Sequence, residues 1–270
     1  MDLSFLSVPG IDAATIALLG LASFCTALMG MLTGAGGGPI LLALMALVLP
    51  PVILIPVHTV VQLGVSVSRI ALLRSFILWK TVLPFVGGGI VGAAAGAPIF
   101  VNLPGPVLLG LIGAFVLLIA WMPKFGLIGP EKGRFGFVGF IATFLGMFVS
   151  STGLLIAPFV AGISPDRRNY AATVAALGTT MHLIKLAAFG FIGFSIGAYL
   201  PLIAVMCATA ALGNWVGRHI LVRMPEKAFR IALKYLLTVL SVRLLWVAMR
   251  DGGVFWEGPH HSLCALTAPL

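Results

Sequence analysis

Charge is what this chain has least of. Asp, Glu, Lys and Arg together make up 9% of its residues, against about 25% in an ordinary soluble domain. A water-soluble fold is therefore excluded, because it would have almost no polar surface to present. Cysteine is scarce as well. Cys25, Cys207 and Cys264 are odd in number and the first two sit in apolar runs, so neither a disulfide framework nor a metal site is expected. Met1 to Pro9 holds Asp2 but no Lys or Arg. Without the basic start of a cleaved signal peptide, the first apolar run is expected to be kept. The chain also has no G-x-x-x-x-G-K-[S/T] phosphate loop and no H-E-x-x-H or paired-aspartate motif, so no cofactor is expected and any ATP would have to come from another subunit.

What is present instead is apolar. Hydrophobic residues are 60% of the chain and the mean hydropathy is +1.16. Apolar runs of about 18 residues or more recur along most of the length, each able to cross a hydrocarbon core of about 30 Å as a helix. The chain reads as all-α, a polytopic helical membrane protein embedded in a lipid bilayer. The net charge of +9 and pI of about 10.1 would suit nucleic acid, but Lys and Arg fall in short loops beside apolar runs. Positive-inside orientation accounts for them, and no nucleic-acid partner is expected.

One stretch interrupts the apolar pattern most sharply: Gly30 to Pro39 reads GMLTGAGGGP. Glycine costs about 1 kcal/mol per helical residue relative to alanine and proline about 3, so the hydrophobic run must break here. Such a break is either a tight turn between helices at the surface or an interruption near mid-membrane. In the second case the freed backbone groups need cover from protein or a water-filled cavity, and helix N-terminal N–H groups point at an anion.

The first apolar unit runs from about Ile11 to Met31, breaks at the glycines, and resumes from Ile40 to Ile55 with Pro50 and Pro51 interrupting it. Pro56 is expected to start a helix reaching about Arg74, whose Thr59, Gln62, Ser66 and Arg69 fall on one face. A link with Trp79 and Lys80 leads to a helix ending near Phe100, and another runs from Val107 to Trp121. Residues 123–134 (PKFGLIGPEKGR) form a polar linker between a first repeat, 1–122, and a second, 135–250. The second begins with apolar Phe137 to Ser150, breaks at Ser150, Ser151, Thr152 and Gly153, and has an arm from Leu154 to Ile163. Helices are expected over Tyr170 to Phe191, Ile196 to Ile220 and Phe229 to Met249, while the tail, 251–270, is left unassigned.

The halves match in order. TVVQLG at Thr59 is echoed by TVAALG at Thr173, LMGML at Leu28 by FLGMF at Phe144, Leu83-Pro84 by Leu200-Pro201, and Gly92 and Gly96 by Thr209 and Gly213. The offset drifts only from 114 residues at Thr59 to 117 at Leu83, which indicates a tandem duplication. Equivalent links carry opposite charge character: the link holding Arg74 and Lys80 is basic and Val101 to Leu103 is not, whereas Gly190 to Ser195 is uncharged and Arg218 to Arg230 is the most basic stretch. Because Lys and Arg mark the cytoplasmic side, two inverted repeats are expected. Each has a first unit, re-entrant or doubly crossing, that enters and leaves on one side, plus three transmembrane helices. Both termini then lie outside.

These residues resemble the TauE/SafE family of sulfite and organosulfonate exporters. The resemblance covers about Gly20 to Arg250 and rests on GAGGGP at Gly34 to Pro39, the repeated TV-x-x-LG, and the small-residue helices ending the third span of each half. It implies a secondary transporter moving sulfite, sulfoacetate or a related small sulfur-containing anion across the cytoplasmic (inner) membrane of a bacterium, by alternating access around a central site. Members commonly carry a glycine-rich break in both halves; here the second reads SSTG. The rival readings are an intramembrane enzyme and a membrane assembly factor.

A small anion needs N–H donors, hydroxyls or cations shielded from lipid. Gly34, Gly36, Gly37 and Gly38 would let backbone N–H groups approach it, and Ser150, Ser151, Thr152 and Gly153 would face them from the other half. Gln62 and Ser66 join from the first-half helix. His182 and Lys185, three apart, share a face of the second-half helix. Lys185 either meets the anion or snorkels to the outer interface. His182 either couples transport to protons, since histidine titrates near neutral pH, or is a buried hydrogen-bonded histidine. Arg69 is expected to anchor at the cytoplasmic end, and His58 to be interfacial. The glycine pairs at spacings of four, in Gly88-Gly92-Gly96, Gly193-Gly197 and Gly213-Gly217, are expected to pack helices. Arg218, Arg223, Lys227, Arg230 and Lys234 are expected to meet anionic headgroups.

Overall fold

A computed structural model of the chain describes residues 8, 11–33, 37–121, 133–194, 196–220 and 226–251. The described residues form α1 Ala13–Thr33, α2 Gly37–Met45, α3 Pro51–Leu73, α4 Val82–Asn102, α5 Gly105–Trp121, α6 Arg134–Val149, α7 Gly153–Ala161, α8 Arg167–Phe191, α9 Leu200–Ile220 and α10 Glu226–Asp251, and no strand. Five stretches are long and apolar enough to cross a membrane, with α5 and α6 as shorter apolar helices. This is a polytopic helical membrane protein. α2 and α7 have 9 residues each. At about 1.5 Å per residue neither crosses a core of about 30 Å, so each is a half-helix following one of the breaks.

The helices pair across the halves: α1 packs on α9, α4 on α6, α3 on α8 and α5 on α10. Close approach sets two of these pairs. A Cβ on Gly92 of α4 would run into the Phe140 carbonyl of α6, and one on Gly213 of α9 into the Phe24 carbonyl of α1. Backbone-to-backbone packing is a main source of helix association where lipid supplies no hydrophobic drive. One turn on, Gly96 meets Met147 and Gly217 meets Met31. These contacts equate Gly92 with Gly213 and Gly96 with Gly217, one turn later than the sequence match with Thr209 and Gly213. Gly193, expected to pack helices, instead takes φ 82° just beyond α8, its N–H bonded to the Gly190 carbonyl at 3.1 Å.

The same contacts give the helix directions. Between α1 and α9 the touching residues rise together, from Gly20 with Thr209 to Met31 with Gly217, and between α4 and α6 from Gly88 with Gly136 to Gly96 with Met147. Both pairs are parallel. α3 and α8 run oppositely: Ser66 stands by Gly178, whereas Leu78 and Phe76, past the end of α3, bond Thr173 and Asn169 near the start of α8. α5 and α10 are also antiparallel, with Gly110 by Ala248 and Trp121 bonded to Thr238. Exchanging α1–α5 for α6–α10 maps this pairing pattern onto itself.

The largest departure from the sequence expectation lies between α2 and α3. α3 begins at Pro51, not Pro56, and the arm after the glycines ends at Met45, not Ile55. Pro50 is extended (φ −62°, ψ 145°) and Pro51 takes the first helical turn, where a missing N–H is no loss. Pro56 lies inside the helix and removes one interior bond. The five added residues carry His58 from the expected interface into the helix body.

Candidate functional site

The two breaks meet at one cavity. Gly37 and Gly38 open α2, Ser151 and Gly153 lie at the start of α7, and all four line it with Thr26 and Gly30 of α1, Gln62, Ser66 and Arg69 of α3, and Gly178 and His182 of α8. The empty space between these residues, the open mouth included, is about 570 Å³. A Cβ on Gly38 would lie 2.6 Å from Ser151 Oγ and nearer still to Gln62 Nε2, so glycine keeps this wall open. Gly37 has a different reason to be glycine. Its Cβ would strike the Thr26 carbonyl, so its absence lets α2 fold back against α1.

Behind the cavity runs a buried hydrogen-bond chain. His58, fully buried, joins both breaks: its Nε2 lies 3.2 Å from the Gly38 carbonyl and its Nδ1 2.9 Å from Ser150 Oγ. Thr59 Oγ1 donates to the Ile55 carbonyl at 2.8 Å and stands 3.1 Å from Ser150 Oγ. Lys185, also fully buried, donates from Nζ to the Ser150 carbonyl and to Ser150 Oγ, both at 3.3 Å. Ser150 takes φ 56°, a conformation uncommon for a non-glycine residue, and this turn ends α6.

Arg69 reaches the cavity rather than anchoring at the membrane edge. It is 6% exposed, and Asn214 of α9 stands 3.5 Å from its Nη2. Asn214 is itself fixed by Nδ2 bonds to the Val65 carbonyl, 2.9 Å, and Ser68 Oγ, 2.7 Å. A Cβ on Gly30 would come within 2.8 Å of Arg69 Nη2, so glycine in α1 makes room for the guanidinium. The signal in the sequence was the shared face with Gln62 and Ser66, outweighed there by the short distance to the helix end.

Of the residues expected to bind an anion, Gly37, Gly38, Gln62, Ser66, Ser151, Gly153 and His182 line the cavity; Gly34 and Gly36 lie outside the described residues. Ser150 and Lys185 stand one layer behind it. Thr152 is turned away: its hydroxyl donates to the Ala142 carbonyl at 2.8 Å and contacts Met181 Sδ at 2.9 Å, stitching the break to α6. Lys185 does not snorkel, because its bonds to Ser150 hold it inward. His58 was missed as a site neighbour through the misplaced start of α3. Arg223, Lys227 and Arg230 fall where no side chain is described, and Lys234 Nζ stands 3.7 Å from the centre of the Trp121 ring.

The wall is strongly suited to negative charge. Of the seven acids, Asp12, Asp166, Glu226 and Asp251 lie just before a helix or at a helix end, and Asp2, Glu131 and Glu257 fall outside the described residues, so among the described residues no carboxylate accompanies the buried cations in the spans. His182 is 5% exposed and its Nδ1 has no hydrogen-bond partner among the described residues, a deficit of about 1–3 kcal/mol that a ligand would relieve. The model of the sulfite exporter TauE/SafE family matches residues 19–244. The chain belongs to this family. The TauE/SafE match covers both breaks and every residue that lines the cavity. No match was found among curated proteins or among solved structures. Gly193 to Gly197 does spell G-x-S-x-G, the nucleophile-elbow pattern, but that elbow needs a strand leading into a helix. Here the string follows α8, and Ser195 lies outside the described residues.

Proposed function

We propose that this TauE/SafE protein is a secondary transporter, not an enzyme, that exports a small sulfur oxyanion such as sulfite or sulfoacetate across a bacterial inner membrane. The observation that carries this reading is the cavity where both breaks meet. Among the described residues its wall combines a guanidinium, hydroxyls, an amide and a partnerless imidazole nitrogen, with no carboxylate. Arg presents several donors in a planar fork suited to oxyanions, and a cation at bilayer depth costs at least about 2.5 kcal/mol, which a bound anion offsets. Alternating access follows if the halves are inverted repeats rocking about this cavity. The antiparallel course of α3 against α8 and of α5 against α10, together with the exchange pattern of the pairings, supports that arrangement.

Counterflow in proteoliposomes tests the proposal. Labelled sulfite, thiosulfate or sulfoacetate outside should exchange for unlabelled anion inside without chemical change. Absence of exchange for all three, or recovery of a chemically altered anion, would favour the assembly-factor or enzyme reading.

A further inference from the structure

The chain behind the cavity is set up to hold a proton. A carbonyl only accepts, so His58 Nε2, 3.2 Å from the Gly38 carbonyl, carries a hydrogen. Nδ1 of the neutral ring then accepts from the Ser150 hydroxyl at 2.9 Å, a tautomer assigned from its partners. Lys185 Nζ donates to the same hydroxyl oxygen. A proton added at Nδ1 reverses one bond only. His58 would donate to Ser150 Oγ, and the Ser150 hydrogen would turn to the Ile55 carbonyl, 3.3 Å away. Every polar atom keeps a partner and no heavy atom has to move.

We propose that His58, Ser150 and Lys185 form a proton-binding site, separate from the anion cavity, through which anion movement is coupled to protons. The inference rests on the anion-transport reading above. The added proton comes from cavity water and leaves to water, so no further reactant is needed. What opposes it is like charge. His58 and His182 both lie in electrostatic range of Lys185, and Arg69 lines the same cavity as His182. α2, α4 and α7 bring no ionisable side chain, α6 brings only Arg134 at its first residue, α1 brings Cys25, and α9 brings Cys207 with exposed Arg218 and His219 in its last turn. A carboxylate to balance the proton is missing from all of them. An anion in the adjoining cavity supplies that balance, so proton and anion each favour the other's binding, and such linkage is reciprocal. Because His58 bonds both breaks, its proton is registered where the two halves meet.

The test uses the full chain in proteoliposomes with a trapped pH dye and the membrane potential clamped by valinomycin and potassium. Counterflow of labelled sulfite, thiosulfate and sulfoacetate is measured first. If none exchanges, the transport reading itself fails. For an anion that does exchange, net flux driven by its gradient should change lumen pH beyond that of protein-free vesicles. His58→Gln, which keeps a donor for Gly38, and His58→Asn, which keeps a partner for Ser150, should lose that pH change yet retain counterflow. Net anion flux by the parent without a protein-dependent pH change overturns the proposal and needs no variant to do so. A pH change retained by both variants overturns it as well.

Discussion

Gly38 of the first break faces Ser151 of the second so closely that a single methyl group on the glycine would stand 2.6 Å from the serine hydroxyl oxygen. The two interruptions, far apart in sequence, thus share one wall of one cavity. Gly38→Ala should narrow that wall and weaken anion binding by tenfold or more, about 1.4 kcal/mol, while unfolding in detergent changes little. Gly153→Ala is the control. It also lines the cavity, but its Cβ would meet nothing within 4 Å, so binding measured by calorimetry should stay near that of the parent.

Arg69 is aimed by Asn214, not by its own helix alone. Arg69→Gln removes a charge-assisted donor set worth about 1.5–3 kcal/mol and should weaken anion affinity by about tenfold to a hundredfold. Asn214→Leu should produce part of that loss although Asn214 does not line the cavity. Equal affinity of the parent and Arg69→Gln would show that the guanidinium plays no part in binding.

Thr152 separates punctuation from binding. Its hydroxyl serves the Ala142 carbonyl, so Thr152→Val should cost about 1 kcal/mol of stability and leave anion affinity unchanged. A large loss of affinity with no loss of stability would place the hydroxyl in the site after all.

The equivalent close approaches give a paired prediction. Gly92→Ala and Gly213→Ala each push a methyl group into a facing backbone carbonyl, and overpacking of this kind costs about 1–3 kcal/mol. Thermal unfolding in detergent should show similar destabilisation for both, and a silent substitution at either site would break the equivalence of α4–α6 with α9–α1.

Much of the architecture could be read before any coordinates because glycine and proline interrupt helices whatever surrounds them. GAGGGP and SSTG therefore announced two breaks in the apolar helices. What the sequence left open depended on side-chain direction. Pro56 looked like a helix start since proline suits a first turn, yet Pro51 suits it as well and lies five residues earlier, so His58 was assigned to an interface. Arg69 was read from its distance to a helix end, but Asn214, remote in sequence, turns it inward. Thr152 and Ser151 are neighbours with the same chemistry. Only the turn after α6, with Ser150 at positive φ, decides which hydroxyl meets the cavity.

The most direct single measurement is an anomalous difference map of the purified protein crystallised with selenite, a heavier relative of sulfite. One strong peak should lie among Gly38, Gln62, Arg69, Ser151 and His182, and should vanish in Gly38→Leu. A peak bound only at the membrane surface, or none in a protein that still exchanges the anion, would contradict the site where the two breaks meet.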